Sequence, residues 1–591
     1  MPSPSSSPKA PSSSPGTDAL LYTLIGAGLA LAAYGSLAWV GGNVTNYLFG
    51  AGAWKPYQPI VAALHPGRLW PALGPVQVQV GARIVPGLLF ALLAGIGAGW
   101  VLKRRRSKSA GLATGRDLAV LLPKEITAKA RSLRPSLADA KPGSIKPDDT
   151  GILLGNLGEN GPEVRTSWED VAVAIMAPRS GKTTSLAVPS ILRAPGPVLL
   201  TSNKAAGDAY TVTLDARTAV GRVWTMDPQQ IAHTEQAMWW DPLADARDLP
   251  GARRLAQHFV TAAVDEGEQG DFWSTAAANT LTALFLAAGA DGRPITDVLG
   301  WLAQPADRTP IDILKANQLT AIAAQLQGTV SGAVETRDGI FETARQYAAC
   351  LLDPKISAWV TPSDTLPEFK PADFVTRQDT LYLLSKDGGG SASALIAAAA
   401  DSVMRTAVIQ AERDGGRLDP PLLAVLDEAA NVCKIGDLPD LYSHLGSRGV
   451  IPITILQSYR QGQRVWGEVG MDAMWSAATI KLVGSGIDDA DFADKLSRLV
   501  GEHDVETVSH STSESGRSTS VSMRQERILP ADQIRALKKG SALLFATGIK
   551  PALLQLRPWY KESGADVIGK ASSRQTAAIT ERAKAKAEAA A

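Results

Sequence analysis

Residues 176–184 read MAPRSGKTT, directly follow the apolar run VAVAI, and carry the residue types that bind phosphate. A phosphate cradle needs backbone N–H groups at a helix N-terminus, a lysine that reaches the β- and γ-phosphates, and a hydroxyl that ligates Mg²⁺. Gly181, Lys182 and Thr183 supply the close turn, the cation and the hydroxyl. We therefore predict a nucleotide-binding loop formed by Arg179, Ser180, Gly181, Lys182, Thr183 and Thr184.

Met176 departs from the usual pattern of such a loop, because it stands where the first glycine is expected. Only glycine adopts a positive φ at little cost, so methionine reduces the backbone freedom at the beginning of the loop. Pro178 has no N–H, and the amides from Arg179 onward must therefore form the cradle. Considered alone, the motif leaves two interpretations open, a functional phosphate cradle and a chance loop.

A second segment, PPLLAVLDEAAN at residues 420–431, supplies carboxylates that complement the lysine. Its apolar run predicts a buried strand that ends at Asp427 and Glu428. The first carboxylate can orient hydrated Mg²⁺, and the second can polarise the water that attacks the γ-phosphate. An acidic pair alone is usually a surface feature, but its occurrence together with SGKTT favours a site for ATP and Mg²⁺. We predict Thr183 and Asp427 as metal ligands and Glu428 as a catalytic residue.

Two further polar residues flank another apolar strand, IPITIL at residues 451–456. Gln457 follows this strand and can sense the γ-phosphate or hold the attacking water; the alternative is an ordinary polar residue at a strand end. Arg448 precedes the strand. It is predicted either to act as an arginine finger on the ATP of a neighbouring subunit or to be a solvated loop residue.

The strands that must position these residues are recognisable as short apolar runs. Several of these runs are nearly continuous, which is typical of a parallel sheet with both faces covered. We predict an α/β fold with strands at 171–175, 198–203, 223–227, 380–385, 422–426, 451–456, 479–483 and 541–547. Residues 295–371 instead show helical periodicity and predict an inserted all-α subdomain.

Two other segments carry predictions of their own. KDGGGSASA at 386–394 has the glycines of a phosphate loop, but no lysine follows in the right place. It therefore predicts a strand-to-helix turn with Ser391 near the helix N-cap. Residues 505–525 are rich in Ser and Thr and alternate in character, which predicts a mobile hairpin.

The overall composition constrains the class of protein. The chain has 591 residues, with 59 Lys and Arg against 58 Asp and Glu, a formal net charge of +1. Any contact with DNA must therefore come from a local basic patch. Two cysteines far apart in sequence give no disulfide framework, and the six histidines form no HExxH pair.

Two uncharged runs near the N-terminus predict transmembrane helices. Leu20–Val40 corresponds to about 31 Å of helix, which suffices to cross the hydrocarbon core. Ile84–Leu102 is followed by KRRRSK, which is expected to stay on the cytoplasmic side and places both termini there. The alternatives are a signal peptide for the first run and a buried core helix for the second. The first run, however, is long and has little charge before it.

Several segments together resemble the TraG/TraD family of type IV secretion coupling proteins, the ATPases of conjugative DNA transfer. The resemblance extends from Leu20 to Pro558 and is most specific at 420–461, PPLLAVLDEAANVCKIGDLPDLYSHLGSRGVIPITILQSYRQ. The segments MAPRSGKTTSLAVPSIL, PVLLTSNKAAGDAYTVTLDAR, GRVWTMDPQ, WWDPL and DFWSTAAANTLTALFL also resemble this family. Met176 departs from it, since the family usually has glycine there, and this puts nucleotide affinity in question.

The resemblance implies a RecA-like P-loop NTPase fold with an inserted all-α subdomain, preceded by two N-terminal transmembrane helices. It also implies roles for individual residues: Lys182 binds phosphate, Asp427 is the Walker B carboxylate, Glu428 is the catalytic base, and Gln457 is the sensor. Arg448 lies near the arginine position of the family without clearly matching it.

The implied function is that of a membrane-anchored ATPase and DNA translocase. It would hydrolyse ATP to recruit a relaxase-bound single DNA strand and pump it into a type IV secretion channel. The implied partners are single-stranded DNA, the relaxase or relaxosome, the channel proteins and the membrane. The implied assembly is a homo-hexamer in the cytoplasmic membrane, with two passes and both termini in the cytoplasm.

The predicted domain order combines these features. A disordered tail at 1–18 precedes transmembrane helices at 19–41 and 84–102, which flank an extracytoplasmic loop at 42–83. A cytoplasmic linker and entry to the core at 103–165 leads to the nucleotide-binding domain, and a C-terminal tail ends the chain. The nucleotide-binding domain is predicted at 166–294 and 372–562, the all-α subdomain at 295–371, and the tail at 563–591.

Three alternatives to a conjugative coupling ATPase follow from the same motifs. An FtsK-like DNA translocase would usually have more membrane spans and a C-terminal winged helix, for which the sequence after Ser541 is too short. An ABC transporter ATPase would carry an LSGGQ-like signature, which the sequence lacks. A non-hydrolysing docking platform for the relaxase complex would explain Met176, but the intact Lys182, Asp427 and Glu428 argue against it.

Overall fold

The computed structural model describes residues 15–50, 52–107, 111–264, 271–386, 392–513 and 516–590. The chain forms two compact units, Met1–Ala110 and Gly111–Ala591. Residues 1–14 of the predicted disordered tail and the predicted N-cap at Ser391 lie outside the described residues.

The first unit is helical in its described part. Its helices are α1 (Pro15–Phe49), α2 (Pro59–Leu64), α3 (Pro66–Leu69), α4 (Pro75–Gln79) and α5 (Val85–Ser107), and a π-helical turn, Val80–Ile84, joins α4 to α5. Trp70 is the largest side chain of its small core, and its indole N–H donates to Asn43 Oδ1 at 3.2 Å. A Cβ on Gly41 would lie 2.3 Å from the carbonyl oxygen of Gly81, so glycine permits α1 to approach the π-helical turn.

The segment predicted as an extracytoplasmic loop, 42–83, is largely helical in the structure. α1 continues to Phe49, and three short helices follow before the second predicted span. Each short helix begins with proline, which is favourable at the first helical position. These helices have only four to six residues, so a search for long apolar runs does not find them. The hydrogen bond between Trp70 and Asn43 gives this segment its own buried contact.

Two helices in the described part of the chain are long and apolar enough to cross a membrane, Pro75–Gly97 and Ser393–Arg413. The first overlaps the predicted span at 84–102 and begins nine residues before it. The second is mostly buried within the second unit, as expected for a core helix. The other predicted span, at 19–41, lies within α1.

The second unit contains all strands of the described chain. They are β1 (Leu153–Leu157), β2 (Glu163–Arg165), β3 (Ala172–Ile175), β4 (Val198–Ser202), β5 (Val223–Met226), β6 (Thr380–Leu384), β7 (Leu422–Asp427), β8 (Val450–Leu456), β9 (Ile480–Gly484), β10 (Glu502–Ser513), β11 (Gly516–Arg527), β12 (Ser541–Ala546) and β13 (Ala552–Gln555). Each of the eight predicted strands is present, and no predicted end differs from the observed end by more than one residue.

Eleven of these strands form one sheet in the order β2-β1-β13-β12-β9-β3-β8-β7-β4-β6-β5. The strands from β9 to β5 pair in parallel, and those from β2 to β12 add an antiparallel edge. Alternate residues of β3 enter two different cores: Val173 and Ile175 pack into one, and Ala172 and Ala174 into the other. The parallel sheet is therefore covered on both faces, as predicted.

The helices of the second unit cover this sheet and form the insertion. They are α6 (Pro123–Leu133), α7 (Pro147–Thr150), α8 (Val188–Arg193), α9 (Ala209–Thr218), α10 (Leu249–Ala263), α11 (Phe272–Asp291), α12 (Ile295–Ala303), α13 (Thr309–Ala316), α14 (Thr320–Val330), α15 (Val334–Tyr347), α16 (Pro354–Ser357), α17 (Pro371–Phe374), α18 (Ser393–Arg413), α19 (Ala429–Val432), α20 (Leu438–Leu441), α21 (Tyr459–Ala477), α22 (Ala490–Val500), α23 (Ala531–Arg535) and α24 (Ala565–Ala590).

The helical insertion lies between β5 and β6 and begins earlier than the predicted residue 295. α10 and α11 already belong to it, and the side chains of Asp248 and Asp271 cap their N-termini. From Thr280 onward α11 is buried on nearly every side up to Gly289. A helix that is apolar all round has no amphipathic stripe, so its sequence lacks the period that marks the later helices.

Residues 563–591, predicted as a C-terminal tail, form the packed helix α24 over most of their length. Ile579 is buried against the sheet's second core, and Gln575 donates a hydrogen bond to Asp215 on α9 at 2.6 Å. The segment predicted as linker and entry to the core, 103–165, contains β1 and β2, which extend the antiparallel edge. β1 and β2 are short and partly polar, so a search for apolar runs does not identify them as strands.

The predicted hairpin at 505–525 is present as β10 and β11. These two strands pair with each other over their full length and form a sheet separate from the main one. At the base of the hairpin, Arg527 makes an ion pair with Asp494 of α22 at 2.7 Å.

Candidate nucleotide-binding site

Three neighbouring parallel strands bring the predicted site residues to one edge of the sheet. β8 lies between β3 and β7, and all three run in the same direction. The loop containing Lys182 follows β3, Gln457 follows β8, and Asp427 ends β7. The carboxyl ends of parallel strands are the usual location of ligand sites in open α/β sheets.

The loop between β3 and the π-helical turn Thr183–Ala187 has the backbone shape of a phosphate cradle. Arg179 has a φ of 62° and Gly181 a φ of 103°, so the chain turns sharply and directs successive N–H groups to one side. The Ser180 hydroxyl is buried in this loop and has no hydrogen-bond partner among the described residues. A phosphate oxygen would satisfy this hydroxyl, so the loop fits the predicted ligand.

Met176 is accommodated by a neighbouring strand. Its backbone N–H donates to the carbonyl oxygen of Leu456 at 2.9 Å, which continues the pairing of β3 with β8. Its side chain is fully buried over Gly484, at the end of β9. A Cβ on Gly484 would lie 2.8 Å from Met176 side-chain atoms, so the absence of a side chain there makes room for methionine.

Lys182 joins the two motifs through a buried cluster of charges. Its ammonium group lies 2.9 Å from Asp427 Oδ1 and also contacts Glu428 Oε1. Burial alone would lower the pKa of Lys182, but the carboxylates of Asp427 and Glu428 outweigh it and raise that pKa above its ordinary value. Lys182 is therefore a fixed cation at the carboxyl ends of the strands.

Glu428 is held in an unusual backbone conformation with a φ of 55°, just before α19. Gln457 Nε2 donates to its Oε2 at 2.7 Å, and Asn431 Nδ2 donates to the same oxygen at 3.3 Å. These contacts orient the carboxylate on the side of the cavity. Asn431 is one of the site residues that sequence reasoning did not identify.

The predicted metal ligands, Thr183 and Asp427, are also adjacent. Thr183 Oγ1 donates to Asp427 Oδ2 at 3.2 Å, and Thr201 Oγ1 on β4 donates to the Asp427 carbonyl oxygen at 3.1 Å. Among the described residues, no group of three His, Cys, Asp or Glu side chains could hold a metal ion. One carboxylate and one hydroxyl instead match a Mg²⁺ site that is completed by phosphate oxygens and water.

Arg448 is the one predicted site residue that does not join the cluster of its own chain. It lies before β8, whereas Gln457 follows that strand, and seven residues of strand span about 23 Å. Its guanidinium group contacts Glu412 Oε1 at 3.6 Å and the Gly416 carbonyl oxygen at 3.4 Å. An arginine finger at this position would have to act on another subunit.

The cavity beside the cradle has a volume of about 610 Å³ and includes residues that sequence reasoning missed. Lys204 and Asp208 follow β4 and line one side. Burial raises the pKa of Asp208, whose carboxylate also accepts a hydrogen bond from the Ala209 N–H at 2.8 Å. These residues were recognisable in principle, because SNKAAGD follows a strand adjacent to β7. The C-terminal part of the second unit also contributes to the lining, through Lys539, Gly540, Gln555, Leu556, Pro558, Tyr560 and Lys561.

The fold and the position of the cradle define a RecA-like P-loop protein with an inserted helical subdomain. A family model described as the TraM recognition site of TraD and TraG matches residues 421–539. This match confirms the predicted resemblance to the TraG/TraD family over that segment. No curated protein sequence matches the chain.

Solved structures resemble this fold to different degrees. The bacterial conjugative coupling protein TrwBdeltaN70, in its unbound monoclinic form, has 18% sequence identity and a TM-score of 0.50, over 68% of this chain and 88% of that one. The plasmid coupling protein TrwB in complex with ADP and Mg²⁺ has 17% identity and a TM-score of 0.48, over 67% and 87%. VirB4 of Thermoanaerobacter pseudethanolicus has 14% identity and a TM-score of 0.40, over 69% and 96%.

Proposed function

We propose that the chain is a P-loop ATPase that binds ATP and Mg²⁺ at the carboxyl ends of β3, β8 and β7. The observation that supports this most strongly is the cluster of Lys182, Asp427 and Glu428. Lys182 lies 245 residues from Asp427 in sequence, yet its ammonium group is 2.9 Å from that carboxylate. Two motifs with separate phosphate and metal chemistry thus converge on one cavity.

Each residue of the cluster has a distinct task in hydrolysis. The amides of residues 179–184 and the Lys182 ammonium group bind the phosphates, and Thr183 and Asp427 hold the metal. Mg²⁺, when bound, neutralises charge on the phosphate oxygens. Glu428 accepts the proton of the attacking water, and Gln457 orients that carboxylate through its 2.7 Å hydrogen bond.

Arg448 completes the site from a neighbouring subunit in this proposal. Its contact with Glu412 is long at 3.6 Å and partly exposed, so the ion pair holds the guanidinium group only weakly. The guanidinium group is therefore available to a phosphate presented by a second copy of the chain. A ring of identical subunits, the proposed homo-hexamer, would repeat this contact at every interface.

The first unit serves as the membrane anchor. Leu88, Leu92 and Ile96 are exposed large apolar side chains on the helix Pro75–Gly97. Lipid covers such a surface at lower cost than water does. The basic run at 103–108 follows in sequence and favours a cytoplasmic second unit, with both termini in the cytoplasm.

The proposed cellular activity is conjugative coupling. Both TrwB structures are described as coupling proteins, and the matched family model is described as a recognition site for TraM. We infer that the ATPase recruits a relaxase-bound single DNA strand and moves it into a type IV secretion channel. Region 421–539 is the proposed contact with the relaxosome.

DNA-stimulated ATP hydrolysis by the full-length protein in detergent tests this function. We expect single-stranded DNA to raise the turnover rate of the wild type. Lys182→Ala removes the phosphate-binding cation and should abolish turnover both with and without DNA. Lys315→Ala is the matched control, because Lys315 lies on α13 outside the cavity and its removal should leave wild-type turnover.

The alternatives predict other outcomes of the same assay. Turnover that is unchanged by Lys182→Ala, or absent from the wild type, would favour a non-hydrolysing docking platform. Stimulation by double-stranded DNA alone would favour an FtsK-like translocase. A transfer assay in cells separates conjugative coupling from other DNA translocation. Loss of DNA transfer when the gene is deleted, and its rescue by the wild-type gene, would support coupling.

A further inference from the structure

One wall of the cavity comes from the C-terminal part of the second unit. Gln555 ends β13, and Tyr560 and Lys561 lie in the turn that follows it. The turn Trp559–Lys561 contacts the π-helical turn Thr183–Ala187, which continues the phosphate-binding loop. Tyr560 is part of this turn, so it lies near the helical end of the phosphate-binding loop.

Ion pairs hold this wall in a fixed position. Glu562 accepts two hydrogen bonds from Arg557, at 2.7 and 2.6 Å, and one from Arg193 at 2.7 Å. Arg193 ends α8, the helix that continues the cradle. Burial would raise the pKa of Glu562, but Arg557 and Arg193 outweigh it and lower that pKa. Arg193 thus attaches the turn to the helix that follows the P-loop, and Arg557 holds Glu562 in place within the turn.

Tyr560 carries an aromatic ring whose contacts leave much of its surface open. It is 55% exposed although it lines the cavity. Its ring meets Trp559 edge-on, with centroids 5.9 Å apart and an interplanar angle of 80°. An aromatic ring held at the rim of a phosphate site can stack on a nucleotide base.

Three lysines around the same cavity match a polyanionic ligand. Lys204, Lys539 and Lys561 line it together with Lys182. A nucleotide has both complementary parts: its phosphates would interact with the cradle and the lysines, and its aromatic base would contact the Tyr560 ring.

We propose that Tyr560 stacks on the base of the bound nucleotide and that the turn 557–562 is the base-binding wall of the site. This inference rests on the proposed ATPase function. It assigns the base of the nucleotide to the C-terminal turn and the phosphates to the P-loop. The cradle binds the phosphates, and Tyr560 distinguishes a nucleotide from an inorganic phosphate chain.

Equilibrium binding of ADP and of pyrophosphate to the full-length protein in detergent, both with Mg²⁺, tests the proposal. Base stacking of this kind changes affinity by about tenfold. Tyr560→Ala should therefore weaken ADP binding about tenfold and leave pyrophosphate binding unchanged, while Tyr560→Phe retains the affinity for ADP. Phe272→Ala provides the control, because Phe272 is 63% exposed and lies outside the cavity.

The outcomes separate this inference from the proposed function. ADP affinity that is unchanged in Tyr560→Ala, or equal losses of ADP and pyrophosphate, would overturn the stacking role. Lys182→Ala should weaken both ligands. If Lys182→Ala left both affinities at the wild-type level, the phosphate site itself, and with it the ATPase function, would be refuted.

Discussion

Individual side chains of the site depend on one another. Lys182 contacts two carboxylates, and one of these, Glu428, takes two further hydrogen bonds from Gln457 and Asn431. The chemistry of Lys182, Asp427 and Glu428 was predictable from their motifs, because few other functions require these residue types after apolar strands. The hydrogen bond from Asn431 to Glu428 was not predictable, since it depends on the left-handed backbone conformation of Glu428.

Removal of the Gln457 amide should slow hydrolysis. Its Nε2 donates a hydrogen bond to Glu428 Oε2 at 2.7 Å, and Asn431 is a weaker substitute at 3.3 Å. Gln457→Ala should lower kcat by at least about tenfold, since loss of one orienting donor costs this much or more. Steady-state ATPase assays measure this effect.

Gln463→Ala provides the matched control for Gln457. Gln463 lies on α21 outside the cavity, so its removal should leave kcat at the wild-type value. Equal rates for Gln457→Ala and the wild type would show that Gln457 only ends its strand, as in the simpler interpretation of the sequence.

Met176 should contribute to stability through packing. Its side chain is fully buried over Gly484, and truncation of a buried methionine costs about 2–5 kcal/mol. Met176→Ala should therefore lower the thermal unfolding temperature by several degrees. Met523→Ala should leave the unfolding temperature unchanged, because Met523 on β11 is 64% exposed. Similar unfolding temperatures for the two variants would contradict the packing role.

Elements with a clear period were predictable, and elements buried on all sides or stabilised only by tertiary contacts were not. β3, β4, β6, β7 and β8 are nearly continuous apolar runs, and their ends were predictable to within one residue. α11 lacks an amphipathic stripe because most of its surface is buried. α24 reads as a solvated segment because its sequence is rich in Ala, Lys and Glu, and only its packing on α9 shows otherwise.

The contact of α24 with the rest of the second unit can be tested at Ile579. This side chain is buried in the core that also contains Tyr210 of α9. Ile579→Asp would place an unpaired charge in an apolar environment and should lower the thermal unfolding temperature. Val567→Asp introduces the same charge on the same helix at a position that is 73% exposed, and should have little effect. Equal effects would indicate that α24 is not packed as described.

The whole molecule combines a helical unit, the proposed membrane anchor, with an α/β unit that carries the proposed nucleotide site, and the proposed function requires several copies. Arg448 lies at the opposite end of β8 from Gln457, so one chain cannot bring it to its own site. The sequence offered the arginine finger as one of two interpretations and could not choose between them, because a contact between subunits leaves no local pattern.

Mixed assemblies test the role of Arg448 in a neighbouring subunit. Lys182→Ala and Arg448→Ala should each abolish turnover in a uniform assembly. When the two variants are mixed and reassembled, some interfaces combine an intact Lys182 with an intact Arg448, and part of the activity should return. Activity that stays absent in all mixtures, or full activity of Arg448→Ala alone, would contradict a finger in trans.

Nucleotide trapping by Glu428→Gln tests the central claim most directly, namely that the P-loop and the acidic pair act on one Mg²⁺–ATP. Full-length wild type, Glu428→Gln and Lys182→Ala are incubated with labelled ATP and Mg²⁺, and bound ATP and released phosphate are measured together. We expect Glu428→Gln to retain ATP with phosphate release reduced at least about a hundredfold, and Lys182→Ala to retain none. Wild-type phosphate release by Glu428→Gln, or wild-type ATP retention by Lys182→Ala, would contradict the account.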